Sequence, residues 1–365
     1  MVTRTTPPVW SNFPVPPGML LEEELETRGM TQRELAKRTG RPVQVINEIV
    51  RGKKTITHET ALELEKVLGI PAHVWINLES IYRMTLAKNQ ERSRLEQEAV
   101  WLDKFPVTEM ERRGWIPRHP DKVDKVRALL EFLGIATFEN TWSEAAVGFR
   151  ITGGGKVSEE ALAVWLRKGE IDGRQLATET YSQPRFLDAL GKIRLMTTSD
   201  PQEFLPEMRR LCAAAGVAFV WTQELPRSGA NGVARWLAPE KALIQLSIRW
   251  RWADIFWFTF FHEACHVLRH ELKMPYVEGA GINLRDEAAE TEADEFAGDR
   301  LIHPPDWSRF VEAGDWSGPA VRQFAQEINI DPGVVVGRMQ HEGIIPFSQL
   351  AGLKGRFKWV ETTDQ

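Results

Sequence analysis

The five residues His262-Glu263-Ala264-Cys265-His266 constrain this chain more than any other feature of its sequence. Residues four apart lie on one face of a helix, so the two imidazoles would point to the same side and share a metal ion. Glu263 follows the first histidine and would act as general base on a water at that ion. The preceding residues, 253–261, are nearly all apolar and contain neither Gly nor Pro. This pattern predicts a helix buried inside a domain.

Two histidines leave a catalytic zinc ion one protein ligand short, since such sites usually have three ligands and keep one position for water. The acidic stretch 285–297 predicts a second helix that can supply the third. Glu290 is our candidate, with Glu287 and Glu292 as rivals. Asp294 lies one turn beyond Glu290 and would accept a hydrogen bond from a metal-bound imidazole. The competing interpretation of this stretch is a solvated acidic face.

Residues 258–266 and 290–297 together resemble the ImmA/IrrE family of zinc metallopeptidases, which joins a His-Glu-x-x-His helix to a downstream acidic helix. The resemblance implies a zincin-like fold with a small β-sheet. It also implies zinc ligands at His262, His266 and Glu290 and a catalytic base at Glu263. The chain departs from the family pattern at Cys265, where Gly is common, and at Glu292, a second carboxylate close to the implied ligand.

The segment before the motif changes from helical to strand-like patterning. Residues 216–221, 232–237 and 242–248 are compact apolar runs, the last two joined by a hairpin-like turn. We expect 242–248 to form an exposed edge strand that could pair with an extended substrate, or else an ordinary buried strand. His303 and Tyr276 are candidates for stabilising the oxyanion of the reaction, with a purely structural role as the alternative for each.

A second motif lies near the start of the chain. Thr31 and Glu34 form a capping-box pattern, and Gly40 ends the short helix that they begin. Pro42 opens another helix that runs to Gly52. Two short helices joined by a turn predict a helix-turn-helix arrangement.

The second of these helices would present Gln44, Val45 and Asn47 to base edges in the major groove of DNA. Basic residues are dense around it, as expected for phosphate contacts. The competing interpretation is a small helical bundle with a solvated basic face. The predicted DNA-binding residues are Gln32, Arg41, Gln44, Val45, Asn47, Lys53 and Lys54.

Residues 17–82 resemble the lambda-repressor-like (XRE) domains of the HigA antitoxin type. The resemblance is carried by Pro17-Gly18, Thr31-Gln32-Arg33-Glu34-Leu35-Ala36, Ile46-Asn47-Glu48-Ile49, Gly52-Lys53 and Trp75-Ile76-Asn77-Leu78. It implies binding to double-stranded operator DNA, usually by a homodimer. With the second resemblance, the chain is similar to HigA-like proteins fused to an ImmA/IrrE domain.

Length and composition set the remaining expectations. A chain of 365 residues suggests two or three domains. We predict an α+β, mostly helical protein with a disordered tail at 1–16, a helix-turn-helix domain at 17–82, a helical connector at 83–215 and a metallopeptidase domain at 216–365. The two cysteines are far apart, and we find neither a signal segment nor an apolar run of membrane length, so we expect a cytoplasmic protein without a membrane partner. Since the net charge is −5, DNA binding would depend on the local basic patch.

Together these features predict a DNA-binding transcriptional regulator that carries a zinc-dependent endopeptidase. Its substrate would be a protein, either a repressor or a partner in a toxin–antitoxin or stress response. The alternative is a HigA-type antitoxin and autorepressor whose metallopeptidase fold is a non-catalytic sensor or docking module. The intact Glu263 favours the enzyme, because a scaffold has no need of a general base.

Overall fold

The computed structural model describes residues 13–139, 157–247, 251–269, 276–278 and 287–357, with only the backbone of 276–278 and of Glu287. The chain divides into two compact units, an N-terminal unit of residues 1–99 and a C-terminal unit of residues 100–365. Most of the predicted disordered tail, 1–16, lies outside the described residues. No described helix combines the length and the apolar content needed to cross a bilayer.

The N-terminal unit is helical throughout its described elements. These are α1 (Pro17–Thr27), α2 (Gln32–Thr39), α3 (Val43–Val50), α4 (His58–Leu68) and α5 (Ala72–Glu98). The predicted start of α2 is confirmed, because the Thr31 hydroxyl accepts a hydrogen bond from the Glu34 backbone N–H at 3.2 Å. The Glu34 carboxylate does not complete the capping box by bonding back to the Thr31 backbone, since it pairs with Arg38 instead. Gly40 ends α2 in the left-handed conformation with φ of 71°.

Two close contacts hold the α2–α3 pair within this unit. A Cβ atom on Gly18 in α1 would lie 2.3 Å from the carbonyl oxygens of Ile49 and Val50, so α1 packs directly on the backbone of α3. Glu79, buried on α5, accepts a hydrogen bond from the backbone N–H of Ile56 at 3.1 Å. α5 thereby fixes the segment that leaves α3.

The boundary predicted at residue 82 is wrong. It falls inside α5, which continues without interruption to Glu98, and the compact unit ends at Ala99. Charged residues dominate the second half of α5, so the sequence suggested a separate connector. The structure extends the same helix through both parts.

The C-terminal unit combines a small sheet with helices. Its described helices are α6 (Val107–Arg112), α7 (Lys122–Leu133), α8 (Glu159–Gln175), α9 (Gln183–Arg194), α10 (Pro201–Ala214), α11 (Ala253–Arg269), α12 (Glu287–Leu301), α13 (Pro304–Ala313), α14 (Gly318–Glu327) and α15 (Pro332–His341). Its strands are β1 (Val217–Trp221), β2 (Gly232–Ala238), β3 (Lys241–Leu246) and β4 (Tyr276–Glu278). The three strands and the hairpin predicted from the sequence are confirmed.

The strand order of the sheet is β1-β3-β2-β4. β3 runs parallel to β1 and antiparallel to β2, and β2 also pairs antiparallel with β4. The expectation that residues 242–248 form an exposed edge is therefore wrong. β3 lies in the interior of the sheet, where its backbone groups bond to neighbours on both sides. Among the described strands, β1 and β4 are the edges.

Both faces of the sheet are covered, which explains why every residue of β3 after Lys241 is buried. Phe219 and Ile244 face α11, while Val220 and Leu243 face the opposite side. There α8 covers the sheet: the Gln245 amide donates a hydrogen bond to the Trp165 carbonyl at 2.8 Å. A strand buried on both faces shows a continuous apolar run, which cannot reveal whether it lies at an edge.

The helical connector predicted for residues 83–215 is also wrong in its later part. Leu190 on α9 and Phe204 on α10 share one hydrophobic core with Phe219 of the sheet and Phe256 of α11. The ring centroids of Phe204 and Phe256 lie 5.7 Å apart. These helices are therefore part of the domain that holds the His-Glu-x-x-His motif, residues 262–266, which we call the metal motif. Their apolar faces carry no chemical signature, so nothing in the sequence indicates what they pack against.

We expect Gly169→Ala to destabilise the C-terminal unit. A Cβ atom there would lie 1.9 Å from the buried Gln245 amide oxygen, and moving that amide would break its hydrogen bond to Trp165. We expect a loss of about 1–3 kcal/mol in the free energy of unfolding, measured by urea denaturation of the full chain. The control is Gly191→Ala in α9, which has open space around it and should be neutral or stabilising. Equal effects of the two substitutions would contradict the close packing of α8 on the sheet.

Candidate metal centre and helix-turn-helix surface

The metal motif lies on α11 and faces the first turns of α12. His262, His266 and Glu290 each offer one ligand atom, and these atoms all lie within 4.8 Å of one another. The Glu290 carboxylate lies 3.5 Å from His262 Nε2 and 3.4 Å from His266 Nε2. The two histidine Nε2 atoms are 3.0 Å apart. Three donors from two helices thus converge on one point.

The rival carboxylates do not join this group within the described residues. Glu292 lies on α12 beside Glu290, but its carboxylate forms an ion pair with Arg269. Glu287 begins α12, and its side chain lies outside the described part of the chain. The structure therefore favours Glu290 over Glu292 as the third donor.

Asp294 controls the orientation of the first histidine. Its Oδ1 atom lies 2.8 Å from His262 Nδ1, as the spacing on α12 predicts. A carboxylate is an acceptor, so this contact places the imidazole proton on Nδ1 and leaves the Nε2 lone pair for the donor group.

Glu263 is almost completely buried, with 1% of its surface exposed. Gly232, the first residue of β2, allows the sheet to approach it: a Cβ atom there would lie 2.8 Å from Glu263 Oε1. The same atom would lie 2.6 Å from the Thr259 methyl carbon. Gly232 is a site residue that the sequence analysis missed. A Gly at a strand position is the available signal, because it marks close approach of another group.

Cys265 lies within the motif but does not join its donor group. Its Sγ atom lies 3.9 Å from the Glu292 carbonyl oxygen, on the side of α11 that packs against α12. Burial raises the pKa of this thiol to about 11, so it stays protonated at neutral pH. Cys265 therefore lies at the contact between α11 and α12.

The structure describes the side chain of one oxyanion candidate, His303, and only the backbone of the other, Tyr276. His303 is exposed at the residue before α13, and no described contact joins its side chain to the donor group. Tyr276 begins β4 and pairs with Ala234 of β2, but its side chain lies outside the described part of the chain.

The start of α11 is anchored by a buried ion pair that the sequence analysis did not foresee. Asp254 is buried and lies 2.6 Å from Lys354 Nζ, and only 10% of the Lys354 side chain is exposed. Lys354 also donates to the Gln340 side-chain oxygen at 3.1 Å. Burial raises the pKa of Asp254, and the hydrogen bond from Lys354 opposes that rise. A Cβ atom on Gly337 would lie 2.6 Å from Asp254 Oδ2, so α15 meets α11 through a glycine.

The helix-turn-helix surface is formed by α2 and α3. Gln44 is exposed and donates to Glu48 at 3.0 Å, and the Asn47 amide donates to the Gln32 side-chain oxygen at 3.2 Å. These hydrogen bonds hold the polar side chains in place on the helix-turn-helix surface. Val45 packs partly against the helical core instead of facing outward. Val43, which the sequence analysis did not select, is the exposed apolar residue at the start of α3.

The predicted basic residues fall into two groups. Arg41 pairs with Glu63 on α4 and is partly buried, so its guanidinium joins two helices of the domain instead of extending outward. Lys54 lies 3.8 Å from Glu48, and Lys53 is exposed. The exposed lysines therefore remain as candidates for phosphate contacts.

The N-terminal part of the chain is similar to known proteins. A family model described as "Helix-turn-helix" matches residues 21–75. Virulence-associated protein I of Dichelobacter nodosus is 37% identical over 78 residues, which make up 21% of this chain and 72% of that protein. The uncharacterized HTH-type transcriptional regulator YddM of Escherichia coli K12 is 28% identical over 82 residues, 22% of this chain and 87% of that protein.

Two solved structures are each similar to about a quarter of the chain. An addiction module antidote protein of the HigA family from Coxiella burnetii is 34% identical and covers 23% of this chain and 94% of its own, with a TM-score of 0.22. The Pseudomonas aeruginosa antitoxin HigA, solved with the higBA promoter, is 28% identical and covers 24% of this chain and 95% of its own, with a TM-score of 0.22.

Proposed function

The chain belongs to the helix-turn-helix family through its N-terminal unit, and we propose that it is a DNA-binding transcriptional regulator that also carries a zinc-dependent endopeptidase centre. The convergence of His262, His266 and Glu290 is the observation that carries the second half of this proposal. Its finer family assignment, a HigA-like regulator fused to an ImmA/IrrE-type metallopeptidase of zincin-like fold, rests on the resemblance of the two motifs.

The donor set suits zinc. Two imidazoles and one carboxylate are a common set for catalytic zinc, and they leave a position for water. When bound, zinc would polarise the scissile carbonyl and lower the pKa of a bound water to ~7. His262 and His266 would hold the ion through Nε2, and Glu290 through its carboxylate.

The protein's own residues would then move protons. Glu263 would take a proton from the attacking water as its oxygen bonds to the peptide carbonyl carbon. It would deliver this proton to the amide nitrogen as the C–N bond breaks, which releases a carboxylic acid and an amine. Asp294 would keep the proton on Nδ1 of His262 and fix the ring in its binding orientation, as its 2.8 Å contact supports.

The proposed substrate is a regulatory protein, either a repressor or a component of a toxin–antitoxin or stress response. The presence of a helix-turn-helix unit in the same chain supports a regulatory target. The proposed partner of that unit is double-stranded operator DNA. The exposed Gln44 would contact the DNA bases, and Lys53 would contact a phosphate group. Binding as a homodimer is part of this proposal, since it would match a two-fold symmetric operator.

One observation favours the alternative, an antitoxin-like repressor with a non-catalytic sensor or docking module. Glu263 and both motif histidines are almost fully buried. A substrate would have to gain access to them before hydrolysis. The two functions give different results in a direct test of Glu263.

Glu263→Gln should remove peptide hydrolysis while keeping the fold and the metal. The amide has nearly the same volume as the carboxylate but is a poor proton acceptor, so we expect a loss of at least ~100-fold in kcat on a fluorogenic peptide library. Zinc content should stay the same. The control is Glu292→Gln, which changes an acid that pairs with Arg269. Hydrolysis retained by Glu263→Gln would contradict the assigned base, and a wild type inactive on every peptide would favour the alternative.

Lys53→Ala should weaken DNA binding uniformly across sequences. Loss of one phosphate contact reduces the slope of log K against log salt concentration by ~0.9. Binding would be measured by fluorescence anisotropy with a duplex selected from a random pool by the full chain. Lys192→Ala, in the C-terminal unit, serves as control because it removes the same charge elsewhere. An unchanged slope for Lys53→Ala would remove this residue from the interface.

Arg41→Ala should instead lower the stability of the N-terminal unit, because it leaves Glu63 without this partner.

A further inference from the structure

A cavity of about 860 Å³ lies beside α11 in the C-terminal unit. Residues of α11, α12, α15 and the segment 347–354 enclose it. Its volume falls within the range of ~300–1,000 Å³ that is typical of sites for small ligands. No role described so far uses this space.

The cavity is adjacent to the metal centre but separate from its donor group. Among the described residues, Phe258, Thr259 and Asp294 line it, whereas the three donors and Glu263 do not. Asp294 contacts His262 through one oxygen at 2.8 Å, and 46% of its side chain is exposed. It therefore lies between the Nδ1 side of His262 and the cavity.

The charges that line the cavity are unbalanced. Five carboxylates face two permanent positive charges, a difference of three negative charges among the described lining residues. The carboxylates are Asp254, Asp294, Glu295, Asp299 and Glu342, and the bases are Arg338 and Lys354.

Both bases are already engaged by the protein. Lys354 pairs with Asp254 at 2.6 Å. Arg338 binds Glu342 at 2.8 Å and donates to the carbonyl oxygens of Gly298 and Ile302, both at 3.0 Å. An incoming anion would have to break these bonds. A cation would share Asp299 with Arg338, which lies 3.7 Å from it, whereas Glu295 has no ion-pair partner among the described residues.

Three carboxylates on neighbouring turns of α12 remain accessible; we name them the α12 carboxylates, and they are Asp294, Glu295 and Asp299. Glu295 is exposed, and 50% of the Asp299 side chain is exposed. Their charge would attract a cation and hold it at the cavity wall.

The rest of the wall suits an apolar body with a hydrogen-bond donor. Ile255 and Phe258 line the cavity, and Phe347 contributes an aromatic ring that is 77% exposed. Thr259, only 2% exposed, also lines the cavity, and its hydroxyl oxygen has no hydrogen-bond partner among the described residues. A buried hydroxyl without a partner can accept a hydrogen bond from a bound N–H group.

We propose that this cavity binds an organic cation carried on an apolar body. The cation is held by the α12 carboxylates, its N–H group donates to Thr259, and its apolar part packs on Phe258 and Phe347. The source is either a free amine or amidine, or a basic side chain of the protein substrate. Only the second source rests on the proposed peptidase function.

The test uses the full chain and two probes of the same shape. We expect 4-aminobenzamidine, a cation, to bind with a stoichiometry of one in fluorescence titration and calorimetry. Its neutral isostere 4-aminobenzamide should bind at least tenfold more weakly. Both titrations are made on metal-free and on zinc-loaded protein. Absence of saturable binding by the cation, or equal affinity for the two probes, would overturn the proposal.

Variants locate the probe. The double variant Glu295→Gln/Asp299→Asn should lower the affinity for the cation at least tenfold, and Thr259→Val should lower it several-fold. The matched control is Glu312→Gln/Glu327→Gln, which removes two exposed acids outside the cavity. Equal losses in the control and in the cavity variant would show only a general charge effect and would overturn the assignment to the cavity.

The two sources are distinguished by hydrolysis of paired peptides that carry lysine or norleucine next to the cleaved bond. Preference for lysine, competed by 4-aminobenzamidine and lost in the double variant, identifies a substrate side chain. Equal hydrolysis of both peptides, with binding of the probe intact, identifies a free molecule. If neither peptide is cleaved while the probe still binds, the proposed peptidase function fails and the cation site stands.

Discussion

The site in the C-terminal unit depends on the burial of one helix, α11, which packs against the sheet, α12 and α15. Phe256, Trp257, Phe260 and Phe261 are all buried, and each such side chain stabilises the packing by roughly 1.5–3 kcal/mol. The same burial fixes the rotation of the helix about its axis. His262 and His266 must then face α12, which brings them to Glu290. Hydrophobic packing therefore sets the geometry of the donor group before any ion binds.

Polar contacts define the position of this helix where apolar packing alone would allow it to slide. The buried pair of Asp254 and Lys354 joins the start of α11 to the segment that follows α15, and Gln340 connects that lysine to two backbone carbonyls of the segment. Such a pair adds little net stability, because both charges lose their hydration. It strongly disfavours any register in which one charge would be buried alone. Gly337 permits the approach, since any side chain there would meet Asp254.

Local features could be predicted from the sequence, and most long-range features could not. The Thr31 cap, the end of α2 at Gly40 and the three strands follow from patterns of a few residues. The contact of Asp294 with His262 joins residues 32 apart and could be predicted only because Asp294 lies one turn beyond Glu290, the candidate third ligand. The interior position of β3 depends on its pairing with β1 and β2, which a continuous apolar run does not encode. The engagement of Arg41 by Glu63 and of Asp254 by Lys354 joins residues distant in sequence. Gly232 carried a weak signal, and the cavity carried none, because its wall comes from four separate segments.

Metal content of the purified protein tests the central claim that α11 and α12 form a zinc site. Elemental analysis should compare the wild type with Glu290→Ala and Glu292→Ala after each is reconstituted with zinc and dialysed. The account predicts about one zinc per chain in the wild type and in Glu292→Ala, and a large loss in Glu290→Ala. A wild type that retains no zinc, or a Glu290→Ala variant that retains it while Glu292→Ala does not, would contradict the assigned donor group.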